Sequence, residues 1–125
     1  MSAIDRTVLD ELRQSIGDDP EFLRELVEAY IDDAPAQLAS IRVGLAEGDV
    51  VLVNRAAHTL KSNSASVGAV GLAEMCRELE AVTQPAVMDA TDLASPGFAA
   101  RLHVIAAELQ RVTTELDALV PANVA

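Results

Sequence analysis

Two residues in this sequence pair a reactive side chain with neighbours that suit it. They are His58 and Lys61, three positions apart in Ala57-His58-Thr59-Leu60-Lys61-Ser62. A neutral imidazole nitrogen is a good nucleophile near neutral pH. A lysine one helical turn away offers positive charge to phosphoryl oxygens. At about 100° per residue, Leu52, Val53, Ala56, Leu60 and Val67 fall on one arc of a helix, and His58 points about 190° from its centre. The expectation is a histidine facing water from mid-helix. Lys61 lies about 60° around from it, Ser62 about 40° and Ala65 about 20°. Such small side chains let another macromolecule approach closely. Periodicity alone equally admits a plain surface histidine.

The remaining candidates are weaker. His103 lies off the apolar seam of the last helical segment, near Arg101 and Glu108, and reads as a solvated residue without a small-residue patch. Cys76 falls on an apolar stripe and reads as core. Neither histidine has a glutamate three residues before it, and His-Glu-x-x-His is absent, so no metal site is expected. There is no Gly-x-x-x-x-Gly-Lys loop, and Gly68 with Gly71 reads as a turn and helix opening rather than a dinucleotide fingerprint. Asp18-Asp19 suits a helix N-terminus, and Asp32-Asp33 suits a solvated face.

The elements that must position His58 are helical throughout. Apolar residues recur at three and four, and prolines and glycines punctuate the segments. Segments are expected over 2–16, from Asp18-Asp19-Pro20 to a break or kink at Pro35, and on to Gly48. Others are expected over 49–66, and from near Gly68 with Leu72, Met75, Cys76, Leu79 and Val82 on one face. A loop with one short turn should fill 84–97. A last helix over 96–119 carries Phe98, Leu102, Ile105, Leu109, Val112, Leu116 and Leu119 in a heptad-like seam. The expected fold is all-α: one domain over 1–125, an antiparallel up-and-down four-helix bundle with an additional short N-terminal helix.

Composition narrows the function classes. Half of the 125 residues are apolar, and Phe22, Tyr30 and Phe98 are the only aromatics, so the core is aliphatic and a deep aromatic-walled pocket is disfavoured. Twenty acidic against nine basic residues give a net charge of −11. That charge disfavours nucleic acid and anionic membranes as partners. A single cysteine excludes an intramolecular disulfide framework. The first residues show no signal-peptide pattern and no stretch is apolar enough to span a bilayer, so the expected compartment is the cytoplasm. The expected state is a monomer, since no apolar dimer surface is evident.

The string Ala57-His58-Thr59-Leu60-Lys61-Ser62-Asn63-Ser64-Ala65-Ser66-Val67-Gly68-Ala69 resembles the signature of histidine-containing phosphotransfer (HPt) domains, His-x-Leu-Lys-Gly followed by small residues and a glycine. The resemblance extends to Asp19-Pro20-Glu21-Phe22-Leu23, to Gly48-Asp49 and to the run from Leu72 to Glu80, and covers about residues 4–83. It implies that His58 accepts a phosphoryl group from a receiver-domain aspartate or a kinase and passes it to another receiver aspartate. It also implies that Lys61 neutralises phosphate charge. Ser62, Ala65 and Gly68 are expected at the docking surface. Expected partners are response-regulator receivers and a hybrid sensor histidine kinase. No cofactor of the chain's own is expected; Mg²⁺ belongs on the receiver. Ser62 departs from the family glycine and adds a hydroxyl beside the imidazole. A histidine-kinase dimerisation hairpin fits less well, because no acidic residue precedes His58 and no proline follows it closely. The alternative of another class is a helical adaptor that binds signalling proteins without phosphotransfer.

Overall fold

Residues 2–121 are described by a computed structural model. Five α-helices follow one another: α1 (Arg6–Ser15), α2 (Pro20–Glu47), α3 (Val50–Ser66), α4 (Val70–Val82) and α5 (Pro96–Leu119). A single 3₁₀ turn, Asp92–Ala94, interrupts the α4–α5 loop. No strand occurs among the described residues.

The helix starts follow from local chemistry. Asp5, Asp19 and Asp49 accept the backbone N–H groups of Thr7, Phe22 and Leu52 at 3.0, 3.1 and 3.0 Å. Each such cap stabilises its helix by about 1 kcal/mol. Pro20 and Pro96 occupy first-turn positions, where a missing N–H costs nothing.

Packing then sets the architecture. α3 lies against α2 and α4, while α5 closes the bundle on α2 and α4, and α1 rests on α2 and α3. The centre is aliphatic: Val27, Ile41, Val53, Leu60, Leu72, Leu79, Ile105, Val112 and Leu116 are all buried. One polar contact crosses it, between the Tyr30 hydroxyl and Ser64 Oγ at 2.8 Å. Gly44 permits the close approach of α2 and α3, since a Cβ there would stand 2.6 Å from Val53 Cγ2.

Several expectations need correction. α2 runs unbroken through Pro35. An interior proline forfeits one backbone hydrogen bond. Pro35 is exposed, and Tyr30, Ala34, Leu38 and Ile41 form one buried stripe across it, so packing on both sides holds the helix together. The first helix starts at Arg6, not Ser2, because Asp5 caps it. Ser2–Ile4 instead form a strap. The Ala3 N–H donates to Glu115 Oε2 (2.7 Å), the Ser2 hydroxyl bonds to the same carboxylate, and the Asp5 N–H donates to the Gly68 carbonyl (2.7 Å). Leu52 is only half-buried, and Val82, in the last turn of α4, is exposed.

Candidate functional site

His58 sits midway along α3 with 58% of its side chain exposed. Its neighbours Ala57 and Leu60 are fully buried, because α3 is flanked by α2 on one side and α4 on the other. The ring therefore emerges on the strip of α3 that no other helix covers. Ser62 and Ala65 lie exposed on the same strip.

A carboxylate from the next helix organises the site. Glu80 of α4 places Oε2 2.6 Å from His58 Nδ1 and Oε1 2.6 Å from Lys61 Nζ. Its side chain is 20% exposed and that of Lys61 28%. The Glu80 backbone carbonyl is itself fastened, accepting from Asn54 Nδ2 at 3.0 Å and Gln84 Nε2 at 2.8 Å. The Asn54 bond ties the end of α4 to the turn of α3 that precedes His58.

The electrostatics follow. The Lys61 ammonium, hydrogen-bonded to Glu80, holds its carboxyl below the usual carboxylate range; the bond to His58 acts the same way and partial burial opposes both. An ionised carboxylate can only accept hydrogen bonds. The Nδ1···Oε2 contact therefore calls for a proton on Nδ1, so that the neutral form of the ring carries its lone pair on Nε2, the nitrogen turned away from Glu80.

Lys61 is on the same side of α3 as its spacing implies, but its ammonium is engaged by Glu80 rather than standing free. Gly68 is not at the surface as expected. It is buried where α3 meets α4, at φ +86°, and a Cβ there would stand 2.7 Å from the Asp5 carbonyl oxygen. It makes the turn between the two helices and anchors the N-terminal strap, which leaves Ser62 and Ala65 as the exposed residues of the three. Cys76 is buried, and burial pushes its thiol up to about 12, which suits core packing and not nucleophilic work. No group of three His, Cys, Asp or Glu residues able to hold a metal ion occurs among the described residues.

Sequence reasoning assigned no role to Glu80 or Asn54. Glu80 lies on a neighbouring helix 22 residues away from His58. The available signal was its place at the end of the Leu72–Glu80 run, one position after the buried Leu79.

The model of the Hpt domain family matches residues 25–120. No curated protein matches. Among solved structures the chain is similar to a histidine-containing phosphotransfer protein from maize, ZmHP2, with 24% identity and a TM-score of 0.73 over 93% of this chain and 86% of that one. It is also similar to the histidine-containing phosphotransfer protein HptB from Pseudomonas aeruginosa PAO1, with 24% identity, a TM-score of 0.60, and 90% and 96% of the two chains covered. A third is the HPT domain of the Hpt sensor hybrid histidine kinase from Shewanella, with 16% identity, a TM-score of 0.65, and 96% and 97% covered. At these identities the structural likenesses establish the helical bundle. With the family match spanning most of its length, the chain belongs to the Hpt domain family, and its role is histidine phosphotransfer in a two-component phosphorelay.

Proposed function

We propose that His58 is the phosphoacceptor and that it reacts through Nε2. The observation that carries this reading is the Glu80 contact, which holds the proton on Nδ1 and turns the other nitrogen outward from mid-helix. The donor is an aspartyl phosphate on a receiver domain, or a hybrid sensor kinase. Nε2 attacks phosphorus, and the phosphoryl group passes to a receiver aspartate in a second transfer of the same kind. Positioning and charge neutralisation supply most of the catalysis in such in-line transfers. A bundle with one oriented imidazole therefore suffices on this side of the complex.

Lys61 shares the Glu80 carboxylate with the ring, and it neutralises phosphoryl charge when a loaded receiver docks. Ser62 and Ala65 give the receiver room to approach. Mg²⁺ belongs to the receiver. We place the protein in the cytoplasm as a monomer; no helix among the described residues is long and apolar enough to cross a membrane.

The test is phosphotransfer from a receiver loaded with acetyl phosphate. Acid-labile, alkali-stable label on the parent and none on His58→Gln supports the carrier reading. Equal label on both proteins puts the phosphoryl group on another residue and overturns the assignment of His58; no label on the parent with any receiver of its host leaves an adaptor that binds without chemistry.

A further inference from the structure

We propose that Glu80 also governs the unloading half of the cycle: it keeps the proton on Nδ1 of phosphorylated His58, so that the P–Nε2 bond breaks with neutral imidazole as the leaving group. This rests on His58 being the phosphoacceptor. Glu80 touches the ring but not the reacting nitrogen, so it is a positioning residue.

The geometry supplies the argument. Glu80 holds the imidazole at Nδ1, 2.6 Å from Oε2, and takes no part of Nε2, on a side chain that is 58% exposed. A phosphoryl group on Nε2 therefore leaves the Nδ1–H···Oε2 bond intact. In loading, the Nε2 lone pair forms the P–N bond. The P–O bond to the receiver aspartate breaks, and its electron pair leaves on that carboxylate. No proton has to move, because the ring already carries one on Nδ1. The product is a cationic phosphoimidazolium beside an anionic carboxylate.

That ring charge decides how readily the phosphoryl group leaves. When the P–Nε2 electron pair returns to Nε2 of a protonated ring, neutral imidazole departs. Had the Nδ1 proton been lost, the departing group would be an imidazolate anion, a far poorer leaving group. A carboxylate in hydrogen-bond contact and only 20% exposed opposes loss of that proton. The phosphoryl group goes to a receiver carboxylate or, in hydrolysis, to water, which gives up a proton to form inorganic phosphate. Lys61 Nζ shares the same carboxylate at 2.6 Å, so phosphoryl oxygens draw it from Glu80 as the group arrives and return it as the group leaves. The site is made for rapid delivery and not for storage.

The test loads the full chain with phosphoramidate, a small-molecule donor that phosphorylates histidine without a receiver. All proteins carry His103→Gln so that the signal belongs to position 58. Phosphorus NMR follows decay of the phosphohistidine at mildly alkaline pH, and nitrogen NMR of the unloaded ring records its tautomer. Glu80→Gln keeps an acceptor for Nδ1–H and removes the charge. It should retain the Nδ1–H tautomer while its phosphohistidine decays about fivefold more slowly than the parent's. Equal or faster decay in a Glu80→Gln protein of unchanged tautomer overturns the proposal. If phosphoramidate labels His58 but no receiver does, the carrier reading falls while the decay comparison still decides the part played by Glu80. If His58 takes a phosphoryl group from neither donor, both fall.

Discussion

The bundle exposes two helical histidines, and they make an instructive pair. His58 and His103 both stand in water on long helices. His103 borders a groove between α2 and α5 with Arg42, Leu45, Ala99, Leu102 and Ala106, and no carboxylate holds its ring among the described residues. His58 has Glu80 on Nδ1, with Lys61 on the same carboxylate. Exposure is common to both, so exposure does not make the site. A fixed proton on one ring nitrogen, imposed from a second helix, sets His58 apart.

The strongest way to break the comparison is to exchange the two histidines for glutamine in turn. His58→Gln should abolish phosphohistidine formation from a loaded receiver, and His103→Gln should leave it within about twofold of the parent, as surface substitutions away from a site usually do. Label that follows His103 would overturn the assignment. Next in size is removal of the orienting carboxylate. Glu80→Ala should lower the rate of loading from a receiver by roughly fivefold to tenfold, the range for losing a charge-assisted hydrogen bond. Nitrogen NMR of His58 should then show a mixture of tautomers, the condition expected of His103 in the parent. Lys61→Ala should slow transfer about threefold with helicity by circular dichroism unchanged, since a partly exposed ion pair contributes little to folding. Loss of helicity would instead make Lys61 a structural residue. The smallest effect belongs to Ser62→Gly, which restores the family residue. Transfer should stay the same or quicken, by no more than about twofold, and a severe loss would mean that the hydroxyl takes part in the reaction.

How much of this was legible beforehand depends on whether a feature belongs to one helix or to two. The outward direction of His58 follows from periodicity within α3, because Val53, Ala56 and Leu60 fix the buried side. The bounds of α5 follow from Pro96 and from a regular apolar seam. Pro35 misled because local backbone chemistry argues for a break, whereas the stripe shared by Tyr30, Ala34, Leu38 and Ile41 is packed as one. Gly68 lies in a string that resembles a docking surface, but its burial is decided by the N-terminal strap, whose path no local pattern reveals. Glu80 could not be placed for a similar reason: its contact with His58 depends on the axial register of α3 against α4, a relation between two helices that neither one's spacing contains.

That register depends on the short connection at Val67, Gly68 and Ala69 between α3 and α4. One additional residue there, absorbed by sliding α4 along its neighbour, would displace it by about 1.5 Å, the rise of a single helical step. A hydrogen bond of 2.6 Å does not survive such a displacement. The length of this turn thus acts as a gauge: it meters the tautomer of a ring about three turns of helix away, and a variant that folded with the wrong gauge would load roughly fivefold to tenfold more slowly, as if the carboxylate had been removed.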